Sequence, residues 1–193
     1  MVNTPSTMAP LGMRAPDFRL PDTFGKLVTL DGFKDSRALL VVFMCNHCPF
    51  VKHILPQFVP LAREFQGRGA AVVAINPNDV QVYPQDAPEK MAELAQSMKF
   101  TFPFLFDETQ EVAKAYGAAC TPDFYLFDTD RRLVYRGQMD DSRPQNNRPV
   151  TGTDLRNALD ALLEGKPASP DQKPSIGCNI KWKAGNEPDY FRR

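Results

Sequence analysis

The sequence has little that attracts charged partners. Its 193 residues contain 23 lysines and arginines against 23 aspartates and glutamates, and only two histidines. Without excess positive charge, neither nucleic acid nor an anionic membrane surface is an expected partner. No apolar run approaches the ~20 residues of a membrane-spanning helix, and residues 1–18 lack the basic start and apolar core of a secretory signal. We therefore expect a cytosolic protein.

The sequence also lacks any need for a covalent scaffold, although it has four cysteines. A chain of this length makes one domain, which buries roughly 70% of the surface that the unfolded chain exposes. Structural disulfides are rare in the cytosol, where cysteines tend to be catalytic or metal-binding. We predict one domain over residues 15–165 and a C-terminal extension over residues 166–193 that docks on it.

Apolar periodicity predicts an α/β protein. Continuous apolar runs over residues 38–44 and 70–76 are typical of buried strands. Between them, residues 51–65 carry the apolar stripe of an amphipathic helix. Strand, helix and strand at this length predict a βαβ unit with parallel strands. Pro56 and Pro60 lie inside the helix, and we expect a kink or break there because proline removes a helical N–H.

Later segments predict further helices and hairpins. Asp86 with Glu89 three residues on forms a capping box, which predicts that the second helix starts at Asp86. The remaining elements follow from apolar periodicity and turn residues: helices over 107–116 and 155–163, a hairpin of strands 124–127 and 133–136, and a small hairpin over 18–30.

The C-terminal extension has an alternating pattern. Ile176, Cys178, Ile180 and Trp182 recur at every second position between polar or small residues. This period predicts an extended strand with one apolar face. We expect the strand to dock on the domain with Cys178 on its buried side.

The most informative motif is Cys45-Asn46-His47-Cys48, which lies between the first predicted strand and the first long helix. A thiol at a helix N-terminus faces unpaired N–H groups and the positive end of the helix dipole, and both stabilise the reactive thiolate. His47 adds positive charge or a hydrogen bond. We predict that Cys45, at the exposed cap, attacks a partner's disulfide and that Cys48 resolves the mixed disulfide.

Two other interpretations of this motif exist. A C-x-x-C pair can supply half of a zinc site, but tetrahedral zinc needs four ligands, and the chain has no second such pair and only His47 and His53 as histidines. The second interpretation is two buried thiols without chemistry. The position at a helix N-terminus favours a redox pair, which requires neither metal nor cofactor and takes electrons from a dithiol protein or a small thiol.

The order of strand, C-x-x-C, helix, strand, helix, Thr121-Pro122, hairpin and terminal helix resembles the thioredoxin fold. Within it, the chain is similar to the redoxin branch of peroxiredoxin-like proteins and membrane-anchored thiol reductases. Residues 15–18 and 25–30 look like the opening hairpin of that branch, and the resemblance covers residues 15–163. It implies a thioredoxin-like fold with a central mixed β-sheet flanked by helices, an N-terminal β-hairpin and an extended C-terminal tail.

The resemblance also assigns residues near the motif. It implies a cis-proline at Pro122 that faces the C-x-x-C, with the backbone of Thr121 beside Cys45, ready to pair with a substrate segment. Met44 and Phe50 flank the motif, either as an apolar rim for a partner or as core residues.

The chain departs from thioredoxins at two positions. Met44 replaces a tryptophan, and Leu39 replaces the buried acid that transfers protons to the inner thiol. Asp79, Asp86 and Glu89 are candidates for that acid, although capping already explains the last two.

The resemblance implies a thiol–disulfide oxidoreductase. A peroxidase is the first alternative, but peroxiredoxins keep a threonine three residues before the peroxidatic cysteine and an arginine near the later strand. Here Cys45 precedes Cys48 by three residues, and Thr121-Pro122 stands where that arginine is expected. A metal (copper) carrier on the same fold is the second alternative.

Cys120 and Cys178 have two interpretations. Free cysteines most often behave as small buried hydrophobes. Alternatively, one of them exchanges with the central disulfide as an auxiliary thiol.

Overall fold

Strands and helices alternate along the chain, whose computed structural model describes residues 3–191. Within these residues the strands are Asn3–Pro5 (β1), Arg19–Pro21 (β2), Leu27–Thr29 (β3), Ala38–Phe43 (β4), Ala70–Asn76 (β5), Phe104–Phe106 (β6), Cys120–Thr121 (β7), Asp123–Phe127 (β8), Leu133–Gly137 (β9) and Ile176–Asn179 (β10). The helices are Pro49–Gly67 (α1), Pro88–Ser97 (α2), Glu111–Tyr116 (α3) and Thr153–Leu163 (α4). No helix between residues 3 and 191 combines the length and apolarity needed to cross a membrane.

The central sheet has the strand order β6-β5-β4-β8-β9. β4, β5 and β6 are parallel, and β8 and β9 join them in antiparallel fashion. This arrangement confirms the predicted βαβ unit and the hairpin that follows it. β4 is buried along its whole length, because one face of the sheet packs against α1 and α4 and the other against α3 and the N-terminal hairpin.

Helix α1 continues through both prolines, so the predicted break is wrong. Pro56 and Pro60 lie on the exposed side of the helix, where water can bond to the carbonyls that the prolines leave without a partner. The opposite side of α1 is apolar and packs into the core. Burial of that side keeps the helix in one piece and holds its N-terminus against the end of β4.

Two helices begin later than the sequence predicts. α2 starts at Pro88, with Ala87 as its N-cap residue and no side-chain cap, so the capping box at Asp86 is wrong. Asp86 is fully buried instead. α3 starts at Glu111, while the Asp107 carboxylate accepts a hydrogen bond from the Ala113 N–H at 2.9 Å.

The C-terminal strand docks beside the C-x-x-C motif. β10 lies between β1 and β7 in a separate three-stranded sheet, where Cys178 pairs with Asn3 on one side and with Thr121 on the other. The predicted single apolar face is wrong, because β10 ends at Asn179. Ile176 and Cys178 therefore pack on the α1 side of the protein, whereas Ile180 and Trp182 pack on the α3 side.

Gly177 allows β10 to approach the neighbouring loop closely. A Cβ atom at this position would lie 2.0 Å from the Thr121 carbonyl oxygen and 3.2 Å from the Pro122 nitrogen. Both atoms belong to the backbone and cannot rotate away. Only glycine fits at position 177 while β10 stays in place.

We expect Gly177→Ala to lower the free energy of unfolding by about 1–3 kcal/mol, because the added methyl group pushes β10 away from β7. Gly67→Ala is the matched control, since a Cβ atom there meets nothing within 4 Å and the residue lies in α1. The free energy of unfolding of this control is expected to rise by about 0.4–1 kcal/mol. Urea denaturation measures both, and equal stability of the two variants would contradict the close approach.

Candidate active site

The C-x-x-C motif occupies the turn between β4 and α1. Cys48 is the N-cap residue of α1, directly before Pro49. Cys45 and Cys48 are 1% and 0% exposed. The expectation that Cys45 forms an exposed cap is therefore wrong: the cap is Cys48, and both thiols lie beneath the surface.

The Asp86 carboxylate holds this turn in place. It accepts hydrogen bonds from the backbone N–H groups of Asn46 (2.8 Å) and His47 (3.0 Å) and from Nδ1 of His47 (2.5 Å). The side chain of Asn78 donates a fourth bond at 2.8 Å. Sequence reasoning explained Asp86 as a helix cap and missed this role, because nothing local connects residue 86 to residues 46 and 47.

These contacts fix the charge of the carboxylate and the tautomer of the imidazole. Burial raises the pKa of Asp86, but the hydrogen bonds from His47 and Asn78 outweigh it and hold the pKa below its ordinary value. Nδ1 of His47 therefore carries the proton that it donates to the carboxylate. The imidazole stacks on Tyr83 with ring centroids 5.1 Å apart, and its Nδ1 lies 3.9 Å from Cys45 Sγ.

Three thiols meet around Thr121. Cys48 Sγ donates to the Thr121 carbonyl oxygen at 3.1 Å, and Cys45 Sγ lies 3.5 Å from the Thr121 hydroxyl. Cys178 is the strand partner of Thr121 and belongs to the same buried core cluster as Cys45 and Cys48. The Thr121–Pro122 bond is cis, as the resemblance implies. The structure thus brings together Cys45, Cys48, Thr121 and Cys178.

The three thiols have different acidities. Hydrogen bonds from Cys178 and Cys45, with further ones from Thr121 and the Val51 backbone, outweigh burial and lower the pKa of Cys48 well below its usual value. Burial, followed by the hydrogen bond to Cys48, raises the pKa of Cys45. The hydrogen bond to Cys48, followed by burial, raises the pKa of Cys178. Of the three thiols Cys48 is therefore the most acidic, and it gives up its hydrogen bond to the Thr121 carbonyl oxygen when it loses its proton.

The backbone beside the motif is already paired. Thr121 was expected to be ready for a substrate segment, but its strand partner is Cys178 of the same chain. Met44 and Phe50 are 1% and 3% exposed, so they are core residues and not an apolar rim. The position beside Thr121 is therefore taken by the protein's own C-terminal strand.

Cys120 lies apart from the thiol cluster. Its Sγ donates to the carbonyl oxygen of Pro122 at 3.8 Å. Burial and then the neighbouring Asp123 raise the pKa of Cys120 well above its usual value. Asp123 is itself a buried acid whose pKa burial raises to about 8, and it was not among the acids expected from the sequence.

One set of potential metal ligands includes the motif. Ligand atoms of Cys45, His47 and Asp86 lie within 4.8 Å of one another. The Asp86 carboxylate already accepts four hydrogen bonds, which explain its position without an ion. His53 lies elsewhere, with its Nε2 2.7 Å from the hydroxyl of Ser142.

Two curated relatives are similar to much of the chain, and one family description matches most of it. The model of the AhpC/TSA family matches residues 11–136. The Mycobacterium tuberculosis protein named "Putative peroxiredoxin MT2597" is 31% identical over 115 residues, covering 60% of this chain and 68% of the relative. Thiol-disulfide oxidoreductase ResA from Geobacillus thermodenitrificans is 27% identical over 130 residues, covering 67% and 70%.

Solved structures confirm the fold. A conserved protein from Geobacillus kaustophilus is 55% identical with a TM-score of 0.93, covering 95% of this chain and 97% of that one. The thioredoxin domain of a thiol-disulfide oxidoreductase from Bacteroides vulgatus is 19% identical with a TM-score of 0.57, covering 67% of this chain and 89% of that one. The thioredoxin-like α/β fold implied by the sequence is therefore confirmed.

Asp86→Asn removes the charge that holds the motif, and we expect it to lower the free energy of unfolding by about 1.5–3 kcal/mol at pH 7. Because the pKa of Asp86 is lower in the folded protein than in the unfolded one, ionised Asp86 stabilises the fold. This stabilisation is fully present above the pKa of the unfolded state, about 4, and is lost as the pH falls through the lower pKa of the folded state. The difference between wild type and variant should therefore narrow below about pH 4. Urea denaturation at several pH values measures it. Asp79→Asn, at a buried carboxylate that accepts from the Gln81 N–H at 3.0 Å, is the control and should lose less.

The acidities predict a thiolate signal at 240 nm. We expect the reduced wild type to show thiolate absorbance at pH 7, and this signal should titrate below the ordinary thiol pKa of about 8.5. The signal should remain in Cys45→Ser and vanish in Cys48→Ser. Absorbance does not depend on reagent access, so burial of the thiols does not disturb the measurement. Loss of the signal in Cys45→Ser alone would place the thiolate at Cys45.

Proposed function

The chain belongs to the AhpC/TSA family, and from this membership we propose that it is a thiol–disulfide oxidoreductase that works through the Cys45–Cys48 pair. The observation that carries the proposal is the position of both thiols: they lie at the N-terminus of α1, and each contacts Thr121 of β7. Two thiols separated by two residues at a helix N-terminus can form a disulfide and reopen it by exchange. The partner is a disulfide or dithiol, carried by a protein or a small molecule.

The order of the two cysteines in the motif and their pKa values favour different thiols for the first attack. The sequence predicts attack by Cys45, whereas the lowered pKa of Cys48 favours Cys48 as the thiolate held at rest. We assign the first attack to Cys48. The Cys48 thiolate displaces one sulfur of the partner's disulfide, and Cys45 then attacks the mixed disulfide at Cys48. The products are the Cys45–Cys48 disulfide and a reduced partner.

The neighbouring groups position this pair. The Asp86 carboxylate fixes the turn through the backbone of Asn46 and His47, so the two sulfurs keep their places as the charge moves between them. The Thr121 hydroxyl lies 3.5 Å from Cys45 Sγ and can donate to it as a thiolate. The Thr121 carbonyl oxygen accepts the hydrogen bond of Cys48 Sγ at 3.1 Å.

We expect Cys48→Ser to lower turnover by at least about 100-fold, because it removes the thiol that makes the first attack and residues that act as a unit lose their function together. Turnover is measured as dithiothreitol-dependent reduction of insulin and of fluorophore-labelled glutathione disulfide. Cys120→Ala, outside the thiol cluster, is the control and should stay within about twofold of wild type. Wild-type rates no faster than those of the reductant alone would refute the function.

Peroxide reduction is a second candidate, favoured by the thiolate at Cys48. A low-pKa thiolate reacts with peroxide to a sulfenic acid, which a second thiol converts to a disulfide. The position three residues before Cys48 holds Cys45 where peroxiredoxins hold threonine. We therefore expect hydrogen peroxide to be consumed more slowly than disulfide with the same reductant, and the reverse order would make peroxide the main substrate.

A metal carrier would use Cys45, His47 and Asp86. Metal analysis of the purified protein tests this alternative, which requires stoichiometric metal. The cytosolic location expected from cysteine usage stays a prediction, and cell fractionation tests it.

A further inference from the structure

We propose that Cys178 is a third redox thiol of this site. It attacks Cys48 in the Cys45–Cys48 disulfide and forms a Cys48–Cys178 disulfide in its place. This inference rests on the thiol–disulfide function proposed above and adds a residue to it. The observation behind it is that both cysteines meet the same residue: Cys178 is the strand partner of Thr121, and Cys48 Sγ donates to the Thr121 carbonyl oxygen at 3.1 Å. Both belong to one buried core cluster.

The backbone brings the two sulfurs to one peptide group. Cys178 is the strand partner of Thr121, and the carbonyl oxygen of Thr121 accepts the hydrogen bond of Cys48 at 3.1 Å. Gly177 permits this approach, because any side chain there would meet the same carbonyl oxygen. Cys178 therefore stands at the position beside Thr121 that a cysteine of a paired substrate strand would take.

The strand that carries Cys178 is held on both sides. β1 pairs with it through Asn3, Thr4 and Pro5. Beyond its end, the Ile180 N–H donates to the Ala119 carbonyl oxygen at 3.1 Å. Cys178 is therefore held beside Thr121 by backbone pairing on both sides of β10 and does not lie on a loose tail.

The exchange is balanced within the protein. Starting from the Cys45–Cys48 disulfide, Cys178 loses its proton and its sulfur attacks Cys48 Sγ. The Cys48–Cys178 bond forms, the Cys45–Cys48 bond breaks, and Cys45 leaves as a thiolate that takes up a proton. No electron enters or leaves, so no outside oxidant is needed. The disulfide moves from the turn to the contact between α1 and β10, and Cys45 becomes a free thiol.

Cys120 does not fit this role, although it lies only two residues before Pro122. Its hydrogen bond goes to the Pro122 carbonyl oxygen, and it is not a member of the core cluster that contains Cys45, Cys48 and Cys178. The structure therefore separates the two auxiliary candidates and selects Cys178. It also provides Cys120 as the matched control.

The first experiment removes the competing thiol. Cys45→Ser, Cys45→Ser/Cys178→Ser and Cys45→Ser/Cys120→Ala are equilibrated with reduced and oxidised glutathione, quenched in acid and weighed intact by mass spectrometry. In Cys45→Ser we expect an internal Cys48–Cys178 disulfide and a glutathione adduct reduced about tenfold or more relative to Cys45→Ser/Cys178→Ser, because the neighbouring thiol displaces glutathione intramolecularly. The Cys120→Ala double variant should match Cys45→Ser.

The second experiment follows the transfer in the unaltered sequence. Oxidised wild type is digested without reduction, and both the Cys45–Cys48 and the Cys48–Cys178 peptides are expected. Cys178→Ala should yield the first alone, and circular dichroism checks that each variant is folded.

Equal glutathione adducts on Cys45→Ser with and without Cys178 would overturn the inference. So would the absence of the Cys48–Cys178 peptide from wild type in every buffer. If wild type still turns over disulfides in either case, only the third thiol is refuted. Absence of turnover would refute the proposed function itself.

Discussion

The hydrogen bonds that the Asp86 carboxylate accepts from the turn between β4 and α1 are the constraint on which the site depends. They determine where Asn46 and His47 lie, and therefore how Cys45 and Cys48 face Thr121. A turn that ends a buried strand leaves backbone N–H groups without partners, and a buried carboxylate satisfies two of them at once. The carboxylate gains charge-assisted bonds in return, so loop and acid stabilise each other.

The redox chemistry gains from the same arrangement. Burial, then the hydrogen bond to Cys48 and the negative charge of Asp86 raise the pKa of Cys45. Cys48 instead receives hydrogen bonds from its thiol neighbours and the start of α1, which lower its pKa. Two cysteines in one short motif thus differ in acidity because they sit in different surroundings. A pair with unequal acidities has a defined thiolate at rest and a defined leaving group.

Local patterns predicted the local part of this protein well. The apolar runs of β4 and β5, the stripe of α1 and the turn before β9 depend on neighbours in sequence, and they were correct. The errors concern residues whose partners are distant. Asp86 has a sequence context that fits a helix cap, yet it bonds to residues 46 and 47. Pro56 and Pro60 are helix breakers in isolation, yet they face solvent on a helix that core packing stabilises. The partner of β10 depends on a backbone approach at Gly177, which no periodicity encodes.

The pairing of β1 with β10 has a consequence for biosynthesis. β1 and β10, from residues 3–5 and 176–179, pair with each other beside the C-x-x-C motif, so the site is complete only when the ribosome has released β10. A nascent chain presents the C-x-x-C turn and the first helix well before Cys178 and its glycine exist. During that interval Thr121 lacks its strand partner and Cys178 is absent, so the growing polypeptide is a different redox species from the finished protein.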